Sequence, residues 1–299
     1  MARTPAPFAA FEWLIAWRYL RAKRAEGGWI SLIGITLAVF ALIATLAVRS
    51  GFRAEFVDTI LGANAHVTVY NSGSVDATGR VDRSLEDYAA MAERVRAVPG
   101  VTRVAPLVKG QVMANARDRN AGVQVFGIMI EDLKTIRRVA DPETSQGDIA
   151  RFDQGIAIGS GVAQELGVTL GDRIKLISPN GVKTPLGTSP RVNAYEVVYI
   201  FTAGRYDIDR VRAYLPFAEA QTFFNRDGRA DELEVMVAEP ERVDDLTLPL
   251  LEAAGERALL WTWQDASGSF LRALEVEDNV MFVILSILVL IAAMNITSG

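Results

Sequence analysis

Few residues of this chain have the type and spacing to do covalent chemistry. Gly159-Ser160-Gly161 sets a serine between glycines, but a nucleophile elbow needs Gly-x-Ser-x-Gly and a histidine to take the proton. His66 is the single histidine and there is no cysteine, so imidazole and thiolate metal sites cannot be assembled from this chain alone. His66 follows an apolar helical segment and reads as a structural residue at a junction. Asp207 and Asp209 read as turn and strand-edge charges. No Gly-x-x-x-x-Gly-Lys-Ser/Thr loop is present to cradle a nucleotide's phosphates. The expectation is a non-catalytic chain with no cofactor and no metal. Its chemistry must be that of binding.

The stretch best suited to binding is Ser178 to Arg191, SPNGVKTPLGTSPR. Three prolines and two glycines with almost no apolar content predict a segment that joins neither a ladder nor a core, and so projects. Proline stiffens it and lowers the entropy lost on gripping a partner. Leu186 would be an exposed apolar tip flanked by Lys183 and Arg191.

Such a loop needs a scaffold, and the middle of the chain supplies two strand–helix–strand patterns. In the first, His66 to Tyr70 is a strand. Ser84 opens a helix with Asp87 in a capping-box position, and Tyr88, Met91, Val95 and Val98 form its apolar stripe. Pro99-Gly100 stops it and Val101 begins the next strand. In the second, Leu233 to Val237 is a strand, Pro240 to Ala254 is helical with Gly255 as its stop, and Ala258 to Trp261 returns. Units of this kind pair into a ferredoxin-like α+β sandwich. Between them lies an insert of mostly β character, with a turn-rich run from Gly155 to Pro179.

At both ends the composition changes. Residues 29–48, WISLIGITLAVFALIATLAV, carry no charge and match the ~20 residues that cross a bilayer's hydrocarbon core. A second uncharged run covers Val280 to Ile296. Arg18, Arg21, Lys23 and Arg24 precede the first run and leave the N-terminus in the cytoplasm. The residues between the runs are then external. Phe52, Phe56, Ile60 and Leu61 continue the helical spacing beyond the first run, and Phe270, Leu271 and Leu274 lead into the second, so each span extends into a helical stalk. The net charge of −5 offers no basic footprint for nucleic acid.

Four stretches together resemble the lipoprotein-releasing permease subunits of the LolC/LolE family, within the mechanotransmission ABC permeases that include MacB and FtsX. They are RYLRAKR, GFRAEFVDTILGANAHV, GIAIGSGVAQELGVTLGDRIKLISP and TWQDASGSFLRALEVEDNVMFVILSILVLIAAMNITS. The resemblance implies a MacB-like α+β periplasmic domain, a ferredoxin-like porter part with an inserted mostly-β subdomain, carried between transmembrane α-helices. The organisation it implies is a cytoplasmic amphipathic helix over 1–28, a transmembrane helix over 29–48 and a stalk over 49–62. The porter part covers 63–129 and 231–263, and the insert 130–230 with its hook over 178–191. A second stalk over 264–279 leads to the second transmembrane helix over 280–299.

By the same resemblance, Thr184, Pro185, Leu186, Gly187, Pro190 and Arg191 would hold a LolA-type periplasmic carrier. Ile43, Leu46, Phe52 and Phe56 would line the cavity that admits the lipoprotein's acyl chains. The implied partners are a LolD-type ATPase, where ATP would be hydrolysed, and a second LolC/LolE-type subunit in a hetero- or homodimer. The location is the bacterial inner membrane, with the large domain in the periplasm. Two further spans of the family lie beyond this sequence, which reads as a fragment. A MacB-like efflux subunit and a two-span periplasmic sensor are the alternatives.

Overall fold

The computed structural model describes residues 10–21, 26–61, 64–75, 81–184 and 187–298, and for some of these the backbone alone. The chain divides into two units, Met1–Phe56 with Gly268–Gly299, and Val57–Ser267.

The first unit is helical. Helix α1 covers Ala10–Arg21 and helix α2 runs unbroken over Glu26–Leu61, its last turn belonging to the second unit. The final helix, here α7, covers Gly268–Ser298. Arg49, directly after the first uncharged run, pairs with Asp278, just before the second, at 2.8 Å. Apolar side chains stand exposed along α2, Phe40 at 68% and Val48 at 73%. Among the described residues no helix is long and apolar enough to cross a membrane.

Among its described residues the second unit is built on two main sheets that share one strand, beside a short ribbon of Ser74–Val75 with Val81–Asp82. Strands β1 (Val67–Asn71), β2 (Val101–Ala116) and β3 (Arg119–Ile128) come first, with helix α3 (Tyr88–Arg96) between β1 and β2. Strand β4 (Ile156–Gly159), helix α4 (Ser160–Leu166), β5 (Arg173–Thr184) and β6 (Gly187–Phe201) follow. Then come β7 (Arg212–Pro216), helix α5 (Phe217–Phe223), β8 (Glu232–Val237), helix α6 (Asp244–Ala254) and β9 (Ala258–Thr262). The first sheet has the order β9-β1-β8-β2, all antiparallel, with α3 and α6 as its crossovers. That is the ferredoxin-like arrangement. Alternation drives it: Val67, Val69, Leu233, Val235 and Val237 are buried on one face, and Val95 of α3 and Leu250 of α6 are buried too.

The second sheet closes on itself. β2 pairs β3, β3 pairs β7 in parallel, β7 pairs β4, β4 pairs β6 in parallel, β6 pairs β5, and β5 returns to β2. The six-stranded barrel leaves no edge open along this ring. Val112, Ala114, Val123, Val125, Ile158, Ile174, Leu176 and Ala213 share its core with Val162 and Leu166 of α4 and Phe217 and Phe223 of α5. Gly127 lets α5 approach, since a Cβ there would overlap that of Ala220. A second core of Phe126, Tyr214, Tyr199 and Phe201 is shared with Leu133, Val139 and Phe152.

Three expectations need correction. The insert does not begin at 130. Residues 101–107 of β2 pair with β8 while 108–116 pair with β3, so the seam falls inside one long strand. The run Gly155 to Pro179 is strand, helix and strand, its glycines marking close approaches and helix ends. Ser84 does not cap α3: its N–H goes to the Asp82 carboxylate, and Leu85 bridges to Ala230 instead. The helix begins three residues later, with Asp87 at the N-cap and no side-chain bond.

His66 is buried beside β8. Its Nδ1 accepts the N–H of Val237 at 3.0 Å, and burial, with Arg103 and Arg137 adding to it, pulls its pKa from 6.5 down to about 4. The unfolded chain therefore binds a proton that the folded chain refuses between these values, so stability is lost as pH falls through that window. About 2 kcal/mol should disappear between pH 7 and pH 5. Urea unfolding of the purified chain at both pH values checks this, and His66→Gln should remove that part of the difference.

Candidate functional site: an anchored hairpin arm

The stretch 178–191 is an antiparallel hairpin, the extension of β5 and β6. Val182 pairs with Ser189, Lys183 with Thr188, and Thr184 with Gly187. The expectation that this segment joins no ladder is therefore corrected. The prolines permit pairing because of where they fall: Pro179 and Pro190 lie in the register shift between Ser178 and Val182, where no ladder bond is asked of them. Pro185 and Leu186 are the two residues between the last pair, and they lie outside the described residues. Thr184 and Gly187 are described in backbone only.

The arm's base is fixed by Arg191. Its Nη1 donates to the Thr222 carbonyl in the last turn of α5, and its Nη2 donates to Asn225 Oδ1 at 2.9 Å. Asn225 adopts a left-handed conformation (φ +57°) and donates back to the Gly181 carbonyl at 3.1 Å. Gly181 is required there: a Cβ would overlap the Ser189 carbonyl oxygen and the Arg191 nitrogen. Arg191 thus spends its guanidinium on holding the arm to the barrel. Sequence spacing gave no sign of this, because its partners are 31 and 34 residues away. Pro190 is exposed, and with Pro179, Ile177 and Met113 it lines a largely apolar cavity of about 680 Å³ beside the base.

Of the acyl-cavity candidates, Ile43 and Leu46 are exposed on α2, at 61% and 45%. Phe52 and Phe56 are helical residues of α2 whose side chains lie outside the described set. Asp209 and Asp207 have structural tasks. Asp209 accepts the N–H groups of Ala203 at 2.7 Å and Gly204 at 3.1 Å, and Asp207 pairs with Arg205 at 2.6 Å.

The sequence pattern of the MacB-like periplasmic core domain matches residues 29–247. The chain belongs to that family. It is also similar to the lipoprotein-releasing system transmembrane protein LolC of Neisseria meningitidis serogroup B, at 29% identity over 98% of this chain and 70% of that one. LolC of Xylella fastidiosa is 28% identical over 95% of this chain and 68% of its own length. Among solved structures, the periplasmic region of MacB from Actinobacillus actinomycetemcomitans aligns over 71% of this chain and 95% of that one, at 11% identity and a TM-score of 0.44. Within this MacB-like family the chain is LolC-like.

Proposed function

We propose that the chain is a permease subunit of an ABC complex in the bacterial inner membrane that extracts lipoproteins and passes them to a periplasmic carrier. The reading rests on one observation: a hairpin arm, anchored through Arg191, whose two strands stay paired as far as Thr184 and Gly187. The carrier-binding residues are Thr184, Pro185, Leu186, Gly187 and Pro190, with Arg191 setting the arm's direction. The likeness to LolC over nearly the whole chain supports the same reading.

The energetics fit. Each acyl methylene leaving a bilayer costs about 0.8 kcal/mol, so a triacylated cargo needs an external source of work and a greasy receiver. The work comes from ATP hydrolysis in a separate LolD-type subunit. The uncharged runs 29–48 and 280–296 cross the membrane. A second LolC/LolE-type subunit completes the lipid cavity, entered past Ile43, Leu46, Phe52 and Phe56. Closure of that cavity pushes the cargo toward a LolA-type carrier on the arm. A photo-crosslinking residue at position 186 in the assembled complex should give an adduct with purified carrier. Adducts at other external positions with none at 186 would remove the arm from the reading.

A further inference from the structure

Arg212 stands on β7, in the barrel wall, and reaches out of the barrel. Its Nη2 donates to Asn64 Oδ1 at 3.0 Å, and Asn64 is only three residues past the end of α2. The guanidinium carbon lies 4.7 Å from the centre of the Phe126 ring on β3, and Nη1 reaches the Tyr214 hydroxyl at 3.4 Å. The same Phe126 ring has Lys109 Nζ at 5.8 Å, and Lys109 pairs with Glu232 of β8 at 2.8 Å. Next along β8, Glu234 pairs with Arg103 of β2 at 3.1 Å. One polar seam therefore joins the segment following α2, the ferredoxin-like sheet and the barrel.

Arg212 is where the seam touches that segment. A planar guanidinium can stack on an aromatic face and donate in its plane at once, which an ammonium cannot do. Such a residue resists sliding in two directions. From β7 the ladder continues through β4 to β6, which is one side of the arm, and through β3 and β2 to β5, which is the other. A displacement of Asn64 is thereby delivered to both strands of the arm.

We infer that Arg212 and Asn64 form the joint that couples the end of α2 to the arm-bearing barrel. This rests on the reading of the chain as a permease subunit. Arg212 is a positioning residue, acting through β7 on the arm, and it touches neither cargo nor carrier. The coupling is carried by a contiguous hydrogen-bonded and stacked path, so it can be measured as a non-additive pair.

The test uses the complete complex in phosphatidylethanolamine–phosphatidylglycerol proteoliposomes with a triacylated lipoprotein, ATP and purified carrier. Asn64→Ala and Arg212→Gln are each expected to lower cargo transfer by about 10-fold while ATP hydrolysis and carrier binding stay within 2-fold. The double variant should be no worse than the worse single one, and Asn64→Asp, which keeps an acceptor for the guanidinium, should recover most of the transfer. Unchanged transfer in Asn64→Ala, additive losses in the double variant, or a parallel loss of carrier binding would overturn the inference. Asn64→Ala removes the part-buried acceptor of Arg212 and keeps the test open should Arg212→Gln misfold. A wild-type complex that releases no lipoprotein would count against the permease reading, and this outcome is separate from any variant's effect.

Discussion

A chain in which residues 179–190 are replaced by Asn-Gly, joining Ser178 to Arg191 through a two-residue turn, is expected to keep its barrel and to lose cargo transfer about 30-fold or more. The barrel can spare the arm. Among the described side chains of 179–190, Pro179, Gly181, Ser189 and Pro190, none belongs to either apolar core, and Ser178 and Arg191 already face each other across the ladder. Asn-Gly takes the left-handed turn that a two-residue hairpin prefers, so the cut ends close without strain. Arg191 keeps its bonds to Thr222 and Asn225, which hold β6 to α5. What disappears is the whole surface offered to the carrier. Removing the central anchors of an interface costs at least about 2 kcal/mol, which is the 30-fold expected. The measurement is transfer from proteoliposomes to purified carrier, alongside thermal unfolding of the same chain. Normal transfer with the arm excised would end the carrier-binding assignment.

The arm also shows what the sequence could and could not tell. Its boundaries and its proline-rich character were plain from SPNGVKTPLGTSPR. Its hairpin form was not, because the prolines weigh against pairing until one knows that two of them fall in a register shift. The two strand–helix–strand units were legible for a stronger reason. The alternation of Val67 and Val69, and of Leu233, Val235 and Val237, is a period-two signal that only a half-buried strand produces. The barrel was hidden because parallel pairings such as β3 with β7 join segments far apart in the chain, with nothing local to announce them. The same holds for the polar seam. Arg103 and Glu234 are 131 residues apart, and Arg212 and Asn64 are 148 apart. Each reads locally as an ordinary surface charge or amide. The capping box at Ser84 failed in the opposite way: the local motif was present, but the Leu85–Ala230 bridge and the Asp82 carboxylate took its backbone first.

Arg103→Ala should be the most destabilising single change in the polar seam, costing about 3 kcal/mol at pH 7.5. The side chains of Arg103 and Glu234 are only 11% and 14% exposed, and they meet at 3.1 Å. Burial pushes the Glu234 carboxyl up, and Arg103 is the main opposing influence. Truncating the arginine leaves a carboxylate poorly solvated, which is dearer than never having placed it there. Arg103 also donates to the Asp132 carbonyl at 2.8 Å and to Thr135 Oγ1 at 2.6 Å, so the turn that follows β3 loses its tie to β2. The pH dependence follows from the sign of the shift. A carboxyl whose folded pKa is raised binds protons more readily folded than unfolded, so its penalty is greatest above that pKa and fades as pH falls. The destabilisation by Arg103→Ala should accordingly shrink between pH 7.5 and pH 5, and Glu234→Gln added to Arg103→Ala should recover about 2 of the 3 kcal/mol. For a unit of this size 3 kcal/mol corresponds to a fall in Tm of roughly 6–12 °C, readable by thermal unfolding of the purified chain in detergent. A loss of stability that is the same at both pH values, and untouched by Glu234→Gln, would place the cost in the lost ties to Asp132 and Thr135 and not in the stranded carboxylate.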